Sequence, residues 1–389
     1  MGSACLRRPE IKVNLRPANS LSKFTKTTDY RIKYEPVGLI GNGAFGKVRL
    51  FREKNIKELK YAIKTIKKEN LPKQLFSFIV DEVQILAKMD HPNIVKYYET
   101  YEDEIYINIV MEYLQGEDLF KLISTKKYDN FTEKDLAEIV SCILKALAYI
   151  HGQGIVHRDI KPENILFSKN GNYETLKLID FGLSTRFKSD SKYRVGSPYY
   201  MSPEIIEGNF SYKTDVWSVG VILYVMLTGY FPFNGKNNND VFHHIKQKTF
   251  NYKHLNESKC SQLAKDLVNK LLNKNESKRL SVEQALNHPW LKFFLNLNKT
   301  PEKIDDGIIK SLKSFSRKNL FLKEALFYIA KLSKDDEIVK LKKAFMEIDK
   351  NNTGTLDYNE INLAFEKLGV KIPDVIILMN LIIFKIIFI

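Results

Sequence analysis

HRDIKPEN, His157 to Asn164, is the stretch on which the rest of the chain hangs, and DFG at Asp180 to Gly182 and SPE at Ser202 to Glu204 follow it. Upstream, GNGAFG places Gly41, Gly43 and Gly46 between two strand-like runs, VGLIG and GKVRLF. Glycines there let backbone amides close over phosphate oxygens with no Cβ in the way, although a plain glycine-rich hairpin turn has the same spacing. YAIK comes next, and its Lys64 ends a strand pattern where an ammonium can meet phosphates.

Short β-like runs fill residues 34–68, and a helical stretch carrying Phe78, Val83, Ile85, Leu86 and Met89 precedes the breaker HPN. A small strand-rich lobe is predicted. Beyond Leu114 the runs LAEIVSCILKALAYIH, DVWSVGVILYVMLTG and CSQLAKDLVNKLL are helical in period, predicting a larger α-rich lobe that ends near HPW at 288–290. Residues 1–33 are polar, with eight Lys or Arg against two acids, and read as a flexible basic arm. A linker follows the large lobe, then a helical segment at 308–333, and a helix, loop, helix pattern spans 338–372.

With 389 residues, 44% hydrophobic and 12% aromatic, the chain can bury a core, which excludes disorder throughout. The net charge of +15 would suit a polyanion, but Lys, Asn and Ile recur everywhere, so the excess reads as compositional and no specific nucleic-acid partner is expected. Cys5, Cys142 and Cys260 are odd in number and far apart, which builds neither a disulfide framework nor a zinc signature and points to a reducing compartment. The first 33 residues lack the roughly 7–15-residue apolar core of a secretory leader, so a cytoplasmic location is expected.

In this order and spacing the motifs resemble a protein kinase over residues 34–291, and Lys161 in HRDIKPEN resembles the serine/threonine branch. The resemblance implies an α+β bilobal kinase fold, with a small β-rich N-lobe and a large α-helical C-lobe, and transfer of the γ-phosphate of MgATP to protein Ser or Thr. Such chemistry needs positioning and charge neutralisation more than covalent catalysis. By resemblance Asp159 orients the substrate hydroxyl with Lys161 beside it, Asn164 and Asp180 ligate Mg²⁺, and Lys64 pairs with Glu82. ATP is expected against Ile40, Gly41, Asn42, Gly43, Ala44, Phe45, Gly46, Lys47, Val48, Ala62 and Lys64, and against the lobe hinge at Met111, Glu112 and Leu114. Met111 is the expected gatekeeper. Asp118 and Glu163 resemble acidic positions that meet the ATP ribose or arginines of a basic substrate. Asp215 and the pair Glu204 with Arg279 resemble supports of the catalytic loop and large lobe. Ser184, Thr185, Ser189, Ser191, Tyr193 and Ser197 lie in the activation segment, where either a phosphate on Arg158 or Asp190 in its stead supplies the charge. Tyr61 for valine and Ser202 for alanine depart from the common pattern.

DKNNTGTLDYNE, Asp349 to Glu360, fits the frame of an EF-hand loop. Asp349, Asn351, Thr353, the Thr355 carbonyl, Asp357 and Glu360 would surround Ca²⁺, with Gly354 in the sharp turn; Thr353 stands where Asp, Asn or Ser is usual. A kinase followed by an amphipathic junction and one such hand is similar to the calcium-dependent protein kinases of plants and apicomplexan parasites. The resemblance implies that residues 292–337, carrying Lys310, Lys313, Arg317, Lys318 and Lys323, occlude the substrate groove until calcium binds the hand at 338–372. The family has four hands where this sequence shows one. The tail at 373–389, with VIILMNLIIFKIIFI, is shorter than the roughly 17–25 residues of a spanning helix and reads as translated intron rather than an anchor. At the other end MGSAC offers Gly2 for myristoylation and Cys5 for palmitoylation, with Leu6 departing from the motif; with the basic arm these imply an anionic membrane surface as partner. Two rivals remain: a kinase controlled by separate calmodulin, and a catalytically silent calcium-responsive scaffold.

Overall fold

Six strands pair into one sheet, whose longer members turn alternate residues to opposite faces. The computed structural model describes residues 25–43, 46–70, 73–125, 131–169, 173–186, 196–247, 250 and 252–295. The strands are β1 (Thr25–Lys26), β2 (Tyr34–Gly43), β3 (Gly46–Glu53), β4 (Lys60–Lys67), β5 (Tyr97–Glu102) and β6 (Tyr106–Glu112), in spatial order β1-β5-β6-β4-β3-β2. Helix α1 (Lys73–Leu86) covers the inner face, where Ile66, Ile107 and Ile109 meet Ile79 and Val83. On the outer face Tyr34, Phe51, Tyr61, Ile63, Tyr101 and Val110 form a second small core. Tyr61, the departure from valine, is 4% exposed there and meets Tyr34 and Tyr98 edge-on at 5.1 Å each.

Residues 25–33, read from the sequence as part of a flexible arm, are laid against this lobe. Strand β1 pairs parallel with β5, Thr25 opposite Thr100 and Lys26 opposite Tyr101. The cause is Glu99, a buried carboxylate that accepts from the Tyr34 and Tyr101 hydroxyls and draws in the ammonium groups of Lys26 and Lys33. A two-residue strand carries no periodicity, so no pattern announces it.

In the large lobe, α2 (Leu119–Ser124) and α3 (Glu133–Gly152) come first. Helix α3 opens on a capping box between Thr132 and Asp135. The hairpin β8 (Ile165–Phe167) with β9 (Leu176–Leu178) and the pair β7 (Ile155–Val156) with β10 (Thr185–Arg186) frame the HRDIKPEN loop. The short α4 (Pro203–Ile206) leads into α5 (Tyr212–Thr228), which is buried without a break from Thr214 to Met226 and ends at Gly229 with φ 75°. A helix apolar on all sides is a core helix. Gly220 lets it close on its neighbour, since a Cβ there would lie 2.8 Å from the Leu271 side chain. Helices α6 (Asn238–Gln247), α7 (Tyr252–Glu257), α8 (Gln262–Leu271), α9 (Val282–Leu286) and α10 (Pro289–Phe294) complete the lobe. The Trp290 indole of the HPW motif donates to Glu133 at 2.7 Å, tying α10 to the start of α3.

Among the described residues no helix is long and apolar enough to cross a membrane. The expected junction, EF-hand, apolar tail and acylation sites lie outside the described residues.

Candidate active site

Strand β4 decides where Lys64 points. Tyr61 and Ile63 face the outer core, so the alternation turns Ala62, Lys64 and Ile66 inward, towards α1 and the cleft. Lys64 Nζ meets Glu82 Oε1 of α1 at 2.6 Å and Asp180 Oδ1 of DFG at 3.5 Å. Both members of the first pair are buried, Lys64 at 4% and Glu82 at 1% exposure. Burial alone would depress the Lys64 ammonium, but the Glu82 and Asp180 carboxylates override it and push it up to about 12. The ammonium therefore stays charged. Burial draws the Glu82 carboxyl upward, and its Oε2 has no hydrogen-bond partner among the described residues.

The HRDIKPEN loop supplies the opposite wall. Asn164 Nδ2 donates to the Asp159 carbonyl at 2.9 Å and to Asp159 Oδ2 at 3.0 Å, and Lys161 Nζ lies 2.7 Å from the same oxygen. Ser197 Oγ donates to Asp159 Oδ1 at 3.4 Å, bringing the activation segment onto the loop. Beneath them Asp215 of α5, fully buried, accepts from the backbone N–H groups of His157 at 2.9 Å and Arg158 at 2.8 Å. His151 Nε2 lies 2.8 Å from its Oδ2. Burial pushes the Asp215 carboxyl up, but the His151 and His157 interactions outweigh it and hold it below the usual carboxylate range. That anchor supports Arg158 at φ 65°, a left-handed conformation costing a non-glycine residue about 1–2 kcal/mol. Burial pushes the His157 imidazole down, so it stays neutral, and its Nδ1 accepts the Asp159 N–H at 3.3 Å while its ring packs on Phe181 at 4.9 Å.

The small lobe adds the glycine-rich turn and the hinge to the cleft. Strands β2 and β3 close the glycine-rich turn with Gly43 opposite Gly46, and a Cβ on Gly46 would strike the Thr65 carbonyl oxygen at 2.1 Å. Ala44 and Phe45 of the turn lie outside the described residues. Ala62 stands opposite Met111 across β4 and β6, both on the inner face, and Leu114 is buried at the hinge. The Leu114 N–H makes no hydrogen bond among the described residues, whereas the Glu112 N–H is spent on the Lys96 carbonyl at 2.9 Å.

A family profile described as Protein kinase domain matches residues 34–291. Calcium-dependent protein kinase 4 of Plasmodium falciparum (isolate 3D7) is 37% identical over 344 residues, which cover 86% of this chain and 64% of that protein. Calcium-dependent protein kinase 4 of Arabidopsis thaliana is 36% identical over 364 residues, 92% of this chain and 71% of the relative. The chain belongs to the calcium-dependent protein kinases. It spans less than two thirds of the length of the Plasmodium relative.

Within this kinase the structure brings Lys64, Glu82, Asp159, Lys161, Asn164 and Asp180 into one cleft. The donor set for a divalent cation fits Mg²⁺: a carboxylate and an amide oxygen are hard ligands. Burial pushes the Asp180 carboxyl up, but Lys64 and the Gly182 N–H at 3.0 Å hold it below the usual range, so it is ionised. Both Asn164 amide contacts run from nitrogen to Asp159, which leaves its oxygen as the atom to meet a cation. Asp118 caps α2, accepting from the Lys121 N–H at 2.6 Å, and Glu163 is exposed. Glu204 and Arg279 form a buried bidentate pair at 2.6 and 3.0 Å, with the guanidinium 5.0 Å over Trp217.

Three participants escaped the sequence reading. Ser197 stood only among phosphorylatable residues, and its contact with Asp159 has no local signature. His151, on α3, reaches Asp215 only because α3 and α5 pack together. Lys177 of β9 joins Glu112 at the hinge, and their separation of 65 positions hides the pairing. What joins the two residues is an ion pair of 2.7 Å between Lys177 Nζ and Glu112 Oε1.

Proposed function

We propose that this chain transfers the γ-phosphate of MgATP to Ser or Thr of proteins, under calcium control exerted through residues 308–372. One observation carries the catalytic part: Lys64 is held between Glu82 and Asp180, facing the Asp159, Lys161 and Asn164 cluster across the cleft. Lys64 would meet the α and β phosphates, and Asp159 would accept the substrate hydroxyl proton, with Lys161 offsetting charge on the phosphoryl group. Mg²⁺, held by Asn164 and Asp180, would supply neutralisation of the phosphate charge. Exposed Glu163 and half-buried Asp118 favour a substrate with basic residues near the acceptor.

The calcium part rests on the Asp349 to Glu360 loop and on the printed names of the relatives. Residues 308–333 would occupy the substrate groove until calcium fills the hand. Gly2, Cys5 and the basic arm would hold a cytoplasmic enzyme at an anionic membrane, since one acyl chain anchors only marginally without a second signal.

The test is transfer to a basic serine peptide in EGTA and in calcium, without calmodulin, with Asp180→Ala as control. Transfer that needs calcium and disappears in the variant supports the reading. Equal transfer in both buffers removes calcium control, and transfer restored only by added calmodulin moves that control to a separate protein. No transfer under any condition leaves a locked kinase or the silent scaffold.

A further inference from the structure

Glu112 ends strand β6 in the small lobe, while Lys177 lies in β9 of the large lobe, three residues before Asp180. Glu112 Oε1 accepts from the Lys96 N–H at 2.6 Å and faces Lys177 Nζ at 2.7 Å. The same ammonium lies 3.5 Å from the Ile94 carbonyl. The segment carrying Ile94 is itself stitched to β9: Val95 donates to the Leu178 carbonyl at 2.8 Å, Leu178 to the Asn93 carbonyl at 2.9 Å, and Asn93 Nδ2 to the Leu176 carbonyl at 2.7 Å. Both charged side chains are mostly covered, 14% and 20% exposed, so water screens the pair less than a surface bridge.

We propose that Glu112 and Lys177 form a clamp behind the hinge that restrains cleft opening and so slows nucleotide release. The inference rests on the kinase reading above. Opening rotates β6 away from β9, and the ion pair spans that boundary. Its loss removes an interaction present in the closed cleft and weakened in the open one, which raises the opening rate. Glu112 and Lys177 are positioning residues in this role, acting on nucleotide through the hinge.

The experiment uses the full chain and follows dissociation of a fluorescent ADP analogue by stopped flow, beside steady-state kinetics. Lys177→Met is expected to speed dissociation on the order of threefold, about 0.6 kcal/mol, the scale of a partly covered ion pair. Glu112→Gln, which keeps an acceptor for the Lys96 N–H, should do the same, and the double variant should add little. The KM for MgATP should rise without a fall in kcat, and Lys177→Arg should restore the slow rate. Lys121→Met, which removes the exposed Lys121 to Glu117 pair at 3.0 Å, should leave dissociation unchanged. Melting temperatures of the variants separate release from misfolding. Unchanged dissociation in Lys177→Met, with nucleotide bound normally, overturns the clamp alone. A wild-type chain that binds no nucleotide overturns the kinase reading with it.

Discussion

Glu99→Gln isolates the charge that fastens residues 25–33 to the small lobe. Burial pushes the Glu99 carboxyl up, but Lys26, Tyr34, Tyr101 and Lys33 overcome it and hold it at about 2. Against an ordinary glutamate near 4.3, the gap corresponds to about 3 kcal/mol of folded-state stabilisation. Lys26 and Lys33 are 54% and 41% exposed, so solvent screening reduces this to about 1–2 kcal/mol. The folded value is depressed, so the contribution is present above pH 4.3 and lost as pH falls towards 2, with about two thirds remaining at pH 3.5. Glutamine keeps an acceptor for the tyrosine hydroxyls and removes only the charge. Urea unfolding of both chains should show the wild-type advantage at pH 7 and its shrinkage at pH 3.5, and hydrogen exchange should quicken at residues 25–33. An advantage that does not change with pH, or unchanged exchange in that segment, refutes the reasoning.

Arg279→Met leaves the Glu204 carboxylate buried without its partner and should cost about 3–5 kcal/mol, read by urea unfolding. Asp215→Asn cannot accept from all three donors that now converge on it, and should cost about 2–4 kcal/mol while releasing the strained Arg158 backbone. Peptide phosphorylation by that variant should fall in kcat more than in KM.

Much of the cleft was legible because its chemistry is local in sequence. The residues of HRDIKPEN sit within one short loop, and DFG follows one hairpin later, so Asp159, Asn164 and Asp180 could be named together. Lys64 was legible as the end of the YAIK strand pattern, and the structure adds that the alternation which turns Ile63 outward turns its neighbour inward. What stayed hidden depends on contacts between distant segments. The β1 strand forms because Glu99 collects two lysines and two tyrosines from three parts of the chain, and no run of residues encodes that. Lys177 belongs to no motif in the sequence, and only the return of β9 beneath the hinge gives it Glu112.

The distribution of charge explains how these carboxylates can share one cleft. Glu82, Asp159 and Asp180 are three acids facing two ammonium groups, Lys64 and Lys161. The acids divide the available partners unevenly. Glu82 is neutralised by Lys64, Asp159 by Lys161 with the Asn164 amide, and Asp180 shares Lys64 while taking the Gly182 N–H. The excess of one negative charge falls where, on the proposed function, a divalent cation and a polyphosphate would meet, and the cation would let the two anionic parties approach. Asp215 stands apart from this balance. It faces backbone donors and His151 rather than a lysine or arginine, so it can hold the catalytic loop in place whether or not nucleotide occupies the cleft.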